Sequence, residues 1–359
     1  MQPKITIVYL CYGMRTYLRE IVDAVAKLDY PKDRLTFILV PAGSPDGIAD
    51  VIRAEVLPRS GQDLPEVVLL DDGQNHGFAG NNNLALRYAL EKNFDYAFLH
   101  NGDLKLAPDS LTEAVRLAEA SPEVGSVQCL VRYWQEQDKV NVTGGVIHIA
   151  GYGFARDNGK QMSEIMVKDG EDIAYASGAA VLYRVSALQK VGLLEEGFFM
   201  YHEDLELGMR LRFAGYRNIL AAKSFAFHDY KFSRNPKKFA WMELYRNLVV
   251  LAYYKPATLF LFSPLLVGIE LGTWLMALKG GWIKAKFWAF GQWFYPRTWK
   301  LLWSMRKRAQ SLRVIKDADF LKFVVGKIEA QEIASPLMDK LINPAVDEAF
   351  QAGRRIVKW

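Results

Sequence analysis

Cysteine is nearly absent, with only Cys11 and Cys129 in 359 residues. Two thiols cannot staple a small secreted scaffold, and with Cys11 following the first apparent strand they point to a reducing cytoplasm. A signal-peptide pattern is not expected either, because Ile5-Thr6-Ile7-Val8-Tyr9-Leu10 is short and β-rich and reads as the opening strand of a fold. No internal repeat or low-complexity tract is present. No Ser-His-Asp or Cys-His arrangement stands out, so a covalent side-chain nucleophile is not expected. Acidic residues are scarce in one region: residues 231–316 hold sixteen Lys and Arg against only Glu243 and Glu270. Seven of the nine tryptophans lie in the same stretch. Basic charge interleaved with indole rings fits a membrane surface, and no nucleic-acid partner is expected.

The net charge of +5 therefore hides a basic appendage on a roughly balanced body, and the length allows one large α/β domain plus that appendage. Strand and helix patterns alternate: strands over 5–10, 35–40, 66–70 and 95–99, helices over about 16–28, 47–57 and 80–92. Such alternation predicts a parallel sheet with helices on both faces. Residues 126–180 are richer in Gly and in short β-like pieces, among them Val140-Asn141-Val142 and Val146-Ile147-His148-Ile149, and read as an antiparallel insertion. The resulting division is a domain over 1–235, a basic aromatic helical region over 236–316, and a helical tail over 317–359.

Two acidic signposts stand about a hundred residues apart. Asn101-Gly102-Asp103 closes an apolar run, placing Asp103 just past the carboxyl end of a strand, where open α/β sheets bind ligands and where a carboxylate suits a hard divalent cation. His202-Glu203-Asp204 opens a segment with acids early, Arg210 and Arg212 late and Gly215 as a stop, the pattern of a helix over about 203–214. Further on, residues 256–278 form an apolar stretch long enough to cross a bilayer, although Glu270 and Pro264 argue against a simple span. Ile283, Phe287, Phe290 and Phe294 recur at helical spacing beside Lys284 and Lys286, predicting an amphipathic helix in a membrane interface. Arg306, Lys307, Arg308 and Arg313 are then expected to face anionic head groups or a lipid diphosphate. His100 and His148 read as structural.

Four segments taken in order, Ile5 to Gly13 with Tyr30-Pro31, Asn75 to Asn83, Leu99 to Asp103, and Ser177-Gly178-Ala179-Ala180 followed by Gly197 to Asp204 and His228, resemble the family 2 inverting glycosyltransferases. The likeness is strongest to bacterial rhamnosyltransferase-like members with a C-terminal membrane-associated extension. The resemblance implies an A-type glycosyltransferase fold, Rossmann-like with a mostly parallel sheet, an antiparallel insertion and a C-terminal helical membrane-associated region. It implies a nucleotide-diphosphate-sugar donor of UDP or dTDP type, Mn²⁺ or Mg²⁺ as cofactor, a lipid-linked glycan acceptor, and residence at the cytoplasmic face of the cell membrane against an anionic surface. By the same resemblance Asp204 is the catalytic base with Glu203 beside it. Asp103 and His228 are the metal ligands. Tyr12, Ser44, Asp46, Asn75, Gly77, Phe78, Asn82, Asn101, Gly102 and Asp103 contact the donor, and Ser177, Gly178 and His202 the acceptor.

The chain departs from the family pattern at two points. Asn101 stands where the metal-binding signature usually has an acid. Pro41-Ala42-Gly43-Ser44-Pro45-Asp46-Gly47 lacks the acid that usually reads the base, a role for which Asp71 and Asp72 are candidates. A sugar nucleotidyltransferase would need a basic glycine-rich loop, of which Tyr12-Gly13-Met14-Arg15 is a poor version. A nucleotide- or glycan-binding module without turnover is the non-enzymatic alternative.

Overall fold

A computed structural model describes residues 2–231, 235–328, 340 and 342–359. The chain divides into two compact units that interleave along the sequence: residues 1–145, 155–199 and 216–231 form one, and residues 146–154, 200–215 and 232–359 the other. Boundaries at 235 and 316 follow the chain, whereas the packing assigns two earlier segments to the C-terminal unit.

The first unit is built on one mixed sheet. Its strands are β1 (Ile5–Leu10), β2 (Leu35–Val40), β3 (Glu66–Leu69), β4 (Tyr96–Asn101), β5 (Leu104–Leu106), β6 (Val124–Tyr133) and β7 (Val140–Val142). After β8 (Gly145–His148) and β9 (Gly153–Ala155), which belong to a separate small sheet, come β10 (Ala180–Arg184) and β11 (Arg217–His228). The order is β3-β2-β1-β4-β10-β6-β11-β5, with β7 added to β6. Strands β1 to β4 are parallel, and they read as unbroken apolar runs because both faces are covered. Around them α1 (Leu18–Ala26), the short α2 (Ile48–Val51), α3 (Gly77–Glu91), α4 (Ser110–Glu119) and α5 (Val185–Val191) complete the layers. In α1, Leu18, Ile21, Val22 and Val25 turn one stripe onto the sheet, as a period of 3.6 requires.

Two strand assignments differ from the sequence expectation. Strands β6 and β7, expected in the insertion, belong to the main sheet. Because β10 runs antiparallel to both β4 and β6, the sheet is mixed rather than mostly parallel. Alternation alone missed this, since a strand buried on both faces carries no period to reveal its direction. The helix expected over 47–57 is α2 followed by a π-helical turn, Ile52–Val56.

Register positions the functional edge. Leu10 of β1 is level with Val40 of β2 on one side and Asn101 of β4 on the other. The loops after these three strands therefore emerge together at the carboxyl ends.

The second unit is helical: α6 (Glu203–Phe213), α7 (Pro236–Tyr253), α8 (Pro256–Lys279), α9 (Ile283–Gly291), α10 (Pro296–Leu312), α11 (Asp317–Phe320) and α12 (Asn343–Ile356). A short strand β12 (Val324–Val325) pairs in parallel with β8. Proline opens α7, α8 and α10 at the first turn, where its missing N–H costs nothing; at α7 the Asn235 side chain also accepts from the Lys237 amide at 2.8 Å.

Candidate functional site

The residues singled out in the sequence fall in both units. In the first unit, the turn between β4 and β5 presents Asp103. Glycine is required at 102, because an added Cβ would lie 2.8 Å from the Leu10 carbonyl oxygen and 2.3 Å from Met14 Cγ. The Gly102 carbonyl accepts from the Tyr9 hydroxyl at 3.1 Å, and the Asn101 amide donates to the Ala179 carbonyl at 3.0 Å. Asp103 thus sits on a turn fixed from both sides.

Strand β11 ends at His228, opposite Leu104 of β5 and Tyr133 of β6. Its Nε2 lies 3.1 Å from Asp103 Oδ1, and the next amide, of Asp229, donates to the Asp103 carbonyl at 2.9 Å. The Asp229 carboxylate in turn accepts from the Tyr17 hydroxyl at 2.5 Å. Residues 125 positions apart are thereby brought together as one oxygen and one imidazole nitrogen.

That pair fits a divalent cation. Adjacent ligands of an octahedral ion at about 2.1 Å stand about 3 Å apart, close to the observed separation, and mixed O/N donors suit Mn²⁺ while admitting Mg²⁺. Among the described residues no three His, Cys, Asp or Glu side chains gather as a metal cluster. The remaining coordination positions would have to come from oxygens outside this set, as expected where a diphosphate is the bound partner.

The loops after β1 and β2 are tied to each other. Ser44 Oγ accepts from the Gly13 amide at 2.8 Å and donates to Asp46 Oδ1 at 2.7 Å, while Asp46 accepts from the Arg15 and Ile48 amides. Burial would raise the Asp46 carboxyl, but these hydrogen bonds from Ser44, Arg15 and Ile48 hold it below its ordinary value. Both side chains shape the loop, and Tyr12 stands exposed beside them. Asp71 reaches the segment that lacks its acid: its Oδ1 lies 3.4 Å from the Gly43 amide and 3.2 Å from that of Gly73. Asp72 instead pairs with His76 at 2.6 Å.

At the start of α3, Asn75 Oδ1 accepts from the Gly77 amide at 2.9 Å, and the Phe78 amide donates to the Phe199 carbonyl at 2.7 Å. These two amides, expected from the sequence to meet a diphosphate, are engaged within the unit. Asn82 is buried and donates to the Phe78 carbonyl, while Asn83 exchanges hydrogen bonds with Leu194. Gly77 has φ +75°, and a Cβ there would strike the Phe199 carbonyl oxygen at 2.1 Å. Before β10, the Ser177 amide donates to Gln128 Oε1 at 2.7 Å, and Gly178 follows in the same turn. His100 is enclosed edge-on against Tyr9, burial lowers its ring to about 4, and neither ring nitrogen has a hydrogen-bond partner among the described residues.

In the second unit, α6 begins abruptly. Tyr201 and His202 both adopt left-handed backbone, φ +73° and +69°, a conformation uncommon outside glycine and held here by the surroundings. The His202 ring is buried and neutral, its pKa lowered to about 4 by desolvation, and Nε2 donates to the Gly151 carbonyl at 3.0 Å. Glu203 and Asp204 follow in the first turn, where the helix dipole favours negative charge. They are not equivalent. Glu203 is buried, and its Oε2 has no hydrogen-bond partner among the described residues; burial first, and the Asp204 charge second, push its carboxyl well above the usual range. Asp204 Oδ1 accepts from the Leu205 amide at 2.7 Å. Burial therefore works against a charge on Glu203 beside the Asp204 carboxylate.

The helix is locked from behind. Glu206, fully buried, pairs with Arg210 at 2.6 Å, accepts from the Tyr253 hydroxyl at 2.6 Å and meets Arg308 at 3.3 Å. This corrects the expectation that the arginines after residue 305 face lipid. Arg308 serves Glu206, Arg306 donates to the Leu251 and Tyr254 carbonyls, and Arg313 pairs with Asp317 at 2.5 Å. Only Lys307 of that set is exposed. Lys286 is likewise buried: it bonds Thr273 at 2.7 Å and pairs with Glu270 at 2.7 Å and with Glu243. Glu270 also meets Arg246 at 2.5 Å, so the charge that interrupts α8 is neutralised.

Comparison with known proteins gives the family and the fold. The profile described as glycosyltransferase like family 2 matches residues 3–246. The hexosyltransferase Agl10 of low-salt glycan biosynthesis in Haloferax volcanii is 24% identical over 149 residues, 41% of this chain and 47% of that protein, so the match spans about half of this relative. The N-acetylglucosaminyl-diphospho-decaprenol L-rhamnosyltransferase of Mycobacterium tuberculosis is 26% identical over 222 residues, 57% of this chain and 70% of that one. Among solved structures, the mannosyltransferase PcManGT from Pyrobaculum calidifontis, in complex with GDP-Man and Mn²⁺, superposes with a TM-score of 0.52 at 18% identity, covering 87% of each chain, and shows the same A-type fold. With more than half its length inside the family profile, the chain belongs to the family 2 glycosyltransferases.

Proposed function

We propose that the protein is a metal-dependent, inverting glycosyltransferase that moves a sugar from a nucleotide-diphosphate donor to a hydroxyl of a lipid-linked glycan at the cytoplasmic membrane face. The Asp103–His228 pair, 3.1 Å apart at the carboxyl edge of the sheet, carries this reading. Asp103 and His228 would hold Mn²⁺ or Mg²⁺, which when bound offsets negative charge on a departing diphosphate. PcManGT, which holds a nucleotide sugar with Mn²⁺, supports that choice. Asp71, brought to the Gly43 loop, supplies the acid that the loop itself lacks and would contact the nucleoside.

Asp204 takes the proton from the attacking hydroxyl. Attack from the side opposite the leaving diphosphate inverts the anomeric centre, and no side-chain nucleophile is needed. Burial, which pushes the Glu203 carboxyl up, disfavours a second charge beside Asp204. The acceptor reading rests on the mycobacterial relative, named for a diphospho-decaprenol acceptor, and on the apolar outer stripe of α8, which fits a lipid surface.

Calorimetric titration with UDP, dTDP and GDP in Mn²⁺, Mg²⁺ or EDTA tests this reading. It predicts metal-dependent binding of one diphosphate; folded protein that binds none of the three would refute the donor site.

A further inference from the structure

The His228 ring has two polar neighbours, and their chemistry decides which nitrogen carries its proton. Nδ1 lies 3.0 Å from Asn141 Oδ1, and Nε2 lies 3.1 Å from Asp103 Oδ1. A carboxamide oxygen can only accept, so the proton is on Nδ1. Nε2 is then the ring atom turned to the Asp103 carboxylate, and a cation between them would be held by both atoms.

Neither partner is free to swing away. Asn141 is 5% exposed in the middle of β7, between the buried Val140 and Val142, and its carbonyl accepts from Asn158 Nδ2 at 2.7 Å. His228 is buried at the end of β11, paired on both sides. The sequence offered only a β-like tripeptide, Val-Asn-Val, with no sign that its polar member serves a histidine 87 positions away. The outer partner of a ligating imidazole commonly sets both tautomer and ring direction.

We infer that Asn141 is a positioning residue, fixing His228 as the Nδ1–H tautomer so that Nε2 and the Asp103 carboxylate face one divalent cation. The inference rests on the metal-dependent reading above, and the two fail separately. The full-length protein and its Asn141→Leu and Asn141→Asp variants are compared by long-range ¹H–¹⁵N spectra of histidine-labelled protein without metal. Each is then titrated with Mn²⁺ alone, followed by the resonance of the free aqueous ion.

The wild type should show His228 protonated at Nδ1. Asn141→Leu should shift the ring toward the Nε2–H form, now donating to Asp103, and weaken Mn²⁺ about tenfold or more. Asn141→Asp restores an acceptor and should keep both the tautomer and the affinity; it also serves if the leucine variant does not fold. A wild-type ring protonated at Nε2 overturns the inference, as does an Asn141→Leu protein with unchanged tautomer and unchanged Mn²⁺ binding. Wild-type protein that binds Mn²⁺ neither alone nor with UDP, dTDP or GDP present overturns the cation site itself, and with it the metal-dependent reading.

Discussion

At the scale of the residue, the proposed function rests on two adjacent carboxyls in unlike surroundings, Glu203 buried and pushed up by that burial, Asp204 accepting from the Leu205 amide. Asp204→Asn should abolish transfer while leaving Mn²⁺-dependent nucleotide binding near wild type; equal loss of both would make Asp204 structural. Glu203→Gln keeps the shape of a neutral carboxyl, so transfer should survive within about tenfold, corresponding to about 1.4 kcal/mol of barrier. The same substitution carries a pH signature. Because the folded-state pKa of Glu203 is raised, its stabilising contribution is complete below the unfolded value of about 4.3 and is lost as pH rises through the folded value. Melting temperatures of wild type and Glu203→Gln should therefore diverge in favour of the variant as pH rises from the unfolded value to the folded one. A constant difference across the range would mean that Glu203 is already ionised in the native state. Asp103 and Asp204 were marked in the sequence by the apolar run that precedes the one and the helix pattern that follows the other, whereas His228 entered only through the family resemblance. The partners Asn141, Tyr17 and Asp229 were not marked, since polar residues joined through space leave no period or spacing in the chain.

At the scale of the element, α8 shows how a sequence can mislead about charge. Glu270 reads as a defect in an apolar run, yet Arg246 of α7 and Lys286 of α9 neutralise it, and Trp274 donates to it at 3.1 Å. The sequence pattern set Lys286 with Lys284 beside the apolar stripe of an interfacial helix, because one helix viewed alone gives no reason to bury a lysine. The reason is Glu243, which lies on another helix. Burial would raise the Glu243 carboxyl, but Arg246 and Lys286 hold it down to about 2. Glu243→Gln leaves two buried cations with one acidic partner fewer and should cost about 3–5 kcal/mol at neutral pH. A depressed folded-state pKa stabilises above the unfolded value of about 4.3 and ceases to do so as pH falls through about 2. The gap between wild type and variant, followed by urea denaturation, should narrow over that acid window. A gap that is small at pH 7 would show the network to be dispensable.

At the scale of the whole molecule, the C-terminal region is more than an anchor added to a finished enzyme. The helix carrying Asp204 packs within the C-terminal unit, where Tyr253 and Arg308 satisfy Glu206. Truncation after residue 235 would strip those partners from a buried carboxylate, so it is a poor test of membrane attachment. The outer surface gives a better one. One side of α8 is buried through Thr258, Phe262, Thr273 and Ala277, while Phe260, Val267, Leu271, Leu275 and Leu278 form a continuous exposed stripe, Phe260 at 84% and Leu271 at 61%. Mean hydropathy over the apolar window is 1.7, and with 11% of that window buried the stripe has no protein covering it among the described residues. Phe287, Phe290, Phe294, Trp299 and Trp303 extend the apolar exposure onto α9, α10 and the turn between them, beside the exposed Lys284 and Lys300. Such a surface suits one leaflet of an anionic bilayer, with aromatic rings at the head groups. In full-length protein, Leu271→Glu with Leu275→Glu should abolish flotation with phosphatidylglycerol vesicles. The melting temperature should barely move, since exposed substitutions usually cost within about 0.5 kcal/mol each. The wild type should release partly in high salt, because lysines supply part of the attraction while the apolar stripe is insensitive to screening. Flotation undiminished by both glutamates would remove α8 from the membrane contact and leave α9 and α10 to carry it.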